Sequence, residues 1–113
     1  MKPSRGDIVW ADLPRLNPRR SYKARYALVI SNDEHNNQND YGVVVALSTG
    51  APSQRLPGVY QLDNWQALNL DHESVVVPWL FTVEWDYVTR KASDLAPSQY
   101  NQVMERLHEV FEI

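Results

Sequence analysis

Residues 24–31 read Ala-Arg-Tyr-Ala-Leu-Val-Ile-Ser. Behind a single cation, Arg25, runs an almost wholly apolar segment with Val and Ile, and this pattern predicts a buried strand. Arg25 is then held at the mouth of a rigid element. Upstream, Pro14 to Lys23 contains Arg15, Arg19, Arg20 and Lys23, with the length and composition of a loop. A basic loop feeding an arginine at the start of a core strand points to a polyanion bound over a fixed guanidinium. Solubilising surface charge accounts for the same residues equally well.

Outward from this strand, the chain reads as short strands followed by one helix. Gly6 to Leu13 is bounded by Gly6 and Pro14 and is rich in β-branched and aromatic residues, which predicts the first strand. Asn32 to Asp40 is a polar connection with room for one helical turn. Gly42 to Thr49 is the third strand and ends in two hydroxyls, Ser48 and Thr49. Gly50 to Arg55 breaks the pattern, and Leu56 to Leu62 resumes it around Pro57 and Gly58 as an edge or kinked strand. A helical turn is expected within Asn64 to His72, then a strand from Ser74 to Val77 stopped by Pro78, a weaker one at Phe81 to Trp85, and a short one at Arg90 to Ser93.

From Pro97 the period changes. Tyr100, Val103, Met104, Leu107, Val110 and Phe111 recur at three-and-four spacing opposite Asn101, Glu105, His108 and Glu112, the pattern of an amphipathic helix. Pro97 suits its first turn, although Ala96 is a poor N-cap. A mostly β chain with one terminal helix implies a half-open barrel or coiled sheet covered on one side.

A chain of 113 residues with 43% apolar and 22% charged residues is expected to form one domain, residues 1–113, with a modest core. No run approaches the roughly 18 apolar residues of a membrane span, and a cytoplasmic protein is expected. The absence of cysteine excludes disulfides, thiolate nucleophiles and thiolate metal sites. The net charge of −3 argues against a nucleic-acid partner until its distribution is considered. Residues 1–25 hold seven basic against two acidic side chains, and the remaining 88 hold four against twelve, so a segment of +5 is set against one of −8.

Other chemistries are excluded by pattern. His35, His72 and His108 each sit in a polar setting, and no two share a recognisable site. Asp33 to Asn39 resembles a calcium loop only superficially, since Gln38 stands where glycine is needed and Val44 where the bidentate acid belongs. No phosphate-binding glycine motif, zinc pattern or nucleophile elbow is present. What remains is Arg25 with Ser48 and Thr49. An arginine neutralises a phosphate whose charge grows in a transition state, and a hydroxyl donates to its non-bridging oxygen, all without a metal. RNA brings its own nucleophile, the 2′-hydroxyl, so such an enzyme needs no cofactor. A strand that simply ends in two hydroxyls is the plainer reading of Ser48 and Thr49.

Gly6-Asp7-Ile8-Val9-Trp10-Ala11-Asp12-Leu13, Arg25-Tyr26-Ala27-Leu28-Val29-Ile30-Ser31, Val44-Val45-Ala46-Leu47-Ser48-Thr49 with Leu56-Pro57 beyond, and Glu73-Ser74-Val75-Val76-Val77 occur in this order before the terminal helix. Together they resemble the MazF/PemK (Kid) family of type II toxins. The resemblance implies an SH3-like barrel of about five to seven short strands with a C-terminal helix. It also implies a homodimeric, metal-independent and cofactor-free endoribonuclease. Such an enzyme cuts single-stranded RNA to 2′,3′-cyclic phosphate and 5′-hydroxyl ends and is held inactive by an antitoxin. Carried over by position, the family's essential arginine falls on Arg25 and its essential threonine on Ser48, with Thr49 adjacent. Arg15, Arg19, Arg20, Lys23, Gln54 and Arg55 are expected to contact substrate, and the antitoxin is expected to present an acidic disordered tail.

The chain departs from the family at three places. Arg25 is followed by Tyr26 where proline is usual, the preceding loop reads Asn17-Pro18-Arg19-Arg20-Ser21-Tyr22-Lys23 where glycines, an acid and a glutamine are usual, and Trp79-Leu80 stands where many members carry an acid and a glutamine. A non-catalytic toxin of the same barrel, like the CcdB gyrase poisons, or a silent RNA- or antitoxin-binding module is the competing reading. The ending Glu109-Val110-Phe111-Glu112-Ile113 lacks the terminal tryptophan motif expected of a gyrase poison.

Overall fold

A computed structural model of the chain describes residues 2–14, 22–50 and 57–112. The β-branched run after Gly6 forms β1 (Asp7–Pro14), which pairs antiparallel with β2 (Tyr22–Val29) in unbroken register from Ile8↔Leu28 to Pro14↔Tyr22. A short helix, α1 (Asp33–Gln38), follows; the Asn32 side-chain oxygen caps it by accepting the His35 backbone N–H at 2.8 Å. Then come β3 (Tyr41–Ser48), β4 (Tyr60–Leu62), β5 (Ser74–Glu84), a 3-10 turn at Trp85–Tyr87, β6 (Val88–Asp94) and α2 (Pro97–Phe111). The six strands form one antiparallel sheet in the order β4-β5-β3-β2-β1-β6.

The sheet is bent by the bulges in the β1–β6 and β3–β5 ladders, and both of its faces are buried. Ile8, Leu28, Val45 and Val76 on one face pack with Tyr100, Val103 and Leu107 of α2. The opposite face carries Val9, Ala11, Ala27, Val29, Val44 and Ala46, and packs with Val83 near the end of β5, Trp85 in the 3-10 turn and Val88 at the start of β6. Small Ala and Val side chains suit this concave inner face, and burial on both faces explains why β2 and β3 read as continuous apolar runs. The result is the expected mostly β half-barrel with a C-terminal helix over one side.

Several boundaries differ from expectation. Tyr22 and Lys23, assigned to the basic loop, are paired with Pro14 and Leu13 and extend β2. Between Leu56 and Leu62 only Tyr60–Leu62 is strand, and Leu56 lies outside the described residues. Residues 63–69 fold as successive turns, with one helix-type bond from Leu68 N–H to the Asn64 carbonyl at 3.2 Å, ended by Asn69 at φ 58.

Pro78 does not stop β5. Val45 pairs with Leu80 and Leu47 with Val76, so β5 spends four residues where β3 spends two. Pro78 falls in the resulting bulge, where no ladder donor is required of it, and the expected strands on either side merge. On α2, Tyr100, Val103 and Leu107 are buried, whereas Val110 and Phe111 at its end are exposed.

Candidate functional site

Antiparallel pairing brings the beginning of β2 beside the end of β3. The last paired residues at this end are Ala27 and Ala46, and two positions further along each strand stand Arg25 and Ser48. Both line a cavity of about 440 Å³, a size suited to a nucleotide unit. Lys23, one turn of the pleat before Arg25, and Thr49, next to Ser48, line it too. Of the residues singled out from sequence, Arg25, Lys23, Ser48 and Thr49 thus line one cavity. Arg15, Arg19, Arg20, Gln54 and Arg55 lie outside the described residues.

Two of these side chains, Arg25 and Ser48, are engaged by the fold. Arg25 is half-buried, and its guanidinium carbon lies 5.9 Å from the centroid of the Trp79 ring, which packs against the inner core. The Ser48 Oγ accepts the Gly50 backbone N–H at 3.4 Å, so the turn that ends β3 engages the hydroxyl oxygen. Arg25 and Lys23 on β2, Ser48 at the end of β3 and Thr49 just beyond it thus place cationic and hydroxyl donors for an oxyanion around one cavity.

The cavity has further lining residues that the sequence reading did not single out. Trp10, Tyr26, Asp71, His72 and Ser74 also line the cavity. Tyr26, Trp10 and Arg90 are directly opposite one another across β2, β1 and β6, because Trp10 pairs with both Tyr26 and Arg90. The Trp10 and Tyr26 rings meet edge-on at 4.6 Å, and the Arg90 guanidinium carbon is 5.6 Å from each centroid. Arg90 Nη2 donates to the Tyr26 hydroxyl at 3.0 Å, which in turn donates to Asp71 Oδ2 at 3.2 Å. His72, assigned only to a polar setting from sequence, reaches the cavity because its turn is tied down by Ser74, whose hydroxyl donates to the His72 carbonyl at 2.8 Å. Trp10 and Tyr26 meet only through the β1–β2 register, which neither run encodes alone, and Asp71 comes from a turn far away in sequence.

Residues 4–111 match the sequence profile of a family described as PemK-like, MazF-like toxin of type II toxin-antitoxin system. No curated protein sequence matches the chain. Among solved structures, an endoribonuclease in complex with its cognate antitoxin from a mycobacterial species is 19% identical with a TM-score of 0.76, over 98% of this chain and 96% of that one. The Mycobacterium tuberculosis toxin MazF-mt6 is 22% identical with a TM-score of 0.76, over 95% and 97%. MazE-MazF from Deinococcus radiodurans is 16% identical with a TM-score of 0.78, over 100% and 98%. At these identities the structural likeness concerns the fold.

Proposed function

The chain belongs to the PemK-like, MazF-like toxins of type II toxin–antitoxin systems, and from that premise we propose that it is an endoribonuclease that cuts single-stranded RNA without a metal. The observation that carries this reading is the shared cavity, which is lined by Arg25 and Lys23 from β2, Ser48 at the end of β3 and Thr49 just beyond it.

In the proposed reaction the RNA 2′-oxygen attacks the adjacent phosphorus, its proton passing to solvent. The 2′-O–P bond forms, the P–O5′ bond breaks, and the departing O5′ takes a proton, leaving a 2′,3′-cyclic phosphate and a 5′-hydroxyl. Arg25 clamps the phosphate and offsets the charge that grows on it, because a guanidinium with pKa above about 12 is a poor base but a strong paired donor. Ser48 donates its hydroxyl to a non-bridging oxygen, with Thr49 beside it. Donors aimed at developing charge in a partly water-excluded cavity act on the transition state more than on the bound substrate. Lys23, with Arg15, Arg19, Arg20, Gln54 and Arg55, tracks the neighbouring strand. The toxin acts as a homodimer in the cytoplasm and is silenced by an antitoxin.

Incubation with mixed-sequence single-stranded RNA in EDTA, followed by end-group analysis, tests this. Fragments with cyclic phosphate and 5′-hydroxyl ends are expected. Fragments with 5′-phosphate ends would overturn the proposed chemistry, and uncut RNA would overturn the nuclease reading.

A further inference from the structure

A carboxylate in a cavity meant for phosphate needs an explanation, since it repels the backbone that Arg25 and Lys23 attract. Asp71 lines the same cavity. It is also positioned. Arg90 Nη2 donates to the Tyr26 oxygen at 3.0 Å, which turns the hydroxyl hydrogen toward Asp71 Oδ2, 3.2 Å away. Arg90 is itself set over the Trp10 and Tyr26 rings, and Tyr26 is buried in the core. The chain Arg90–Tyr26–Asp71 thus ties an exposed turn carboxylate to two strands and leaves it accepting capacity, because a carboxylate has about four lone-pair sites.

What such a group can receive is a base edge. Single-stranded RNA is read mainly through stacking against aromatic residues and hydrogen bonds to the Watson–Crick edge. The four edges differ in what they offer. Uracil presents one N–H between two carbonyl acceptors. Cytosine and adenine each present one amino group beside a ring acceptor. Guanine alone presents two adjacent donors, N1–H and the N2 amino group, which match the two oxygens of a carboxylate, while the other bases set an acceptor against it.

We propose that Asp71 is a specificity-determining residue that selects guanine in the bound strand, with Tyr26 as its positioning residue. This rests on the reading of the cavity as the RNA site and names the base it takes. Trp10, which lines the same cavity, supplies apolar surface for that base.

The test uses uncleavable 2′-deoxy oligonucleotides, each with one G, A, C or inosine in a uniform U background, binding measured by fluorescence anisotropy. The G oligomer is expected to bind about tenfold or more tighter than the A or C oligomers, the scale of a good bidentate contact. Inosine, which lacks the N2 amino group, should fall between. Asp71→Asn should remove most of the ratio, because an amide offers one acceptor and one donor. Tyr26→Phe, which keeps the ring, should reduce the G-to-inosine ratio, and a merely structural tyrosine would leave that ratio unmoved. Equal binding of all oligomers, no measurable binding, or a G preference that survives Asp71→Asn would each overturn the assignment. Cleavage of ordinary RNA is scored separately: G-selective binding with uncut RNA would sink the nuclease reading and leave Asp71 as the reader, whereas cutting indifferent to G would do the reverse.

Discussion

The guanidinium of Arg25 lies over the ring of Trp79, its central carbon 5.9 Å from the centroid. The indole face attracts the cation electrostatically, at roughly 0.5–2 kcal/mol. Single-turnover cleavage rates are therefore expected to fall in the order Trp79, Trp79→Phe, Trp79→Leu, with the leucine variant about 2- to 10-fold slow. A leucine variant as fast as the wild type would mean that the ring does not position Arg25.

The donor array predicts larger effects. Arg25→Ala should lower cleavage at saturating RNA by about a hundredfold or more, the usual scale for losing a donor to a developing anion, and Ser48→Ala should follow it. Binding should change less than rate. Thr49→Ala is the control: if it is crippling while Ser48→Ala is mild, the hydroxyl roles are exchanged between neighbours.

The parts of this site that were legible in sequence are those fixed by local pattern. Arg25 and Ser48 each end an apolar run, so their rigid placement followed from strand periodicity. Their meeting needed the β2–β3 register, Ala27↔Ala46, which no single run encodes. The row Tyr26–Trp10–Arg90 depends on two ladders at once, and Asp71 enters from a turn. Pro78 misled for a related reason. Proline's missing donor forbids a regular ladder position, but the bulge opposite Val45 to Leu47 removes the demand for that donor, and only the partner strand reveals it.

Gly42 gives a stability prediction whose sign is opposite to the usual one. Within a strand, glycine ordinarily costs stability relative to alanine, by about 0.5–1 kcal/mol. Here a Cβ would overlap the Trp85 ring and come within 2.6 Å of the Ser31 Oγ. Neither neighbour yields easily. Trp85 is buried and donates from Nε1 to the Asn36 carbonyl at 3.4 Å, and Ser31 Oγ accepts the Val43 N–H at 3.0 Å while donating to Asn36 Oδ1 at 2.6 Å. Gly42→Ala should destabilise by about 1–3 kcal/mol in urea unfolding, the range for overpacking. A stabilised variant would show that the packing around Trp85 is looser than described.

Lys91 sets a weak alkaline limit. Its Nζ lies 3.2 Å from Asp7 Oδ1 and 3.2 Å from Asp94 Oδ2, and hydrogen bonding to Asp7 first, then to Asp94, raises its pKa above the usual 10.5. Because the folded value is the higher one, the stabilisation is fully present below 10.5 and is lost as pH rises through the folded value. The lysine side chain is 45% exposed, so solvent and salt screen the contribution to under about 1 kcal/mol. The stability difference between wild type and Lys91→Met should be small and level from pH 7 to 10, and should shrink above that. A difference that grows with pH would reverse the sign.

Control of the proposed nuclease should use the same surface as its proposed substrate. The strongly basic residues 1–25, in a chain otherwise acidic, favour a partner with the opposite charge. Tyr22, the first residue of β2 and next to Lys23 in sequence, stacks with Tyr87 at 5.6 Å, and both are exposed, at 55% and 42%, which supplies apolar surface. An antitoxin tail with Asp or Glu interleaved with Trp, Leu or Phe meets both features, ordering as it binds. Its charges should speed association in a salt-sensitive way, and its apolar anchors should set the lifetime of the complex. RNA and antitoxin are therefore expected to compete, and the double variant Arg19→Ala, Arg20→Ala should weaken both. Titration of labelled RNA against the purified toxin–antitoxin complex checks this: retention of full RNA affinity would end the shared-surface model, even with the nuclease reading intact.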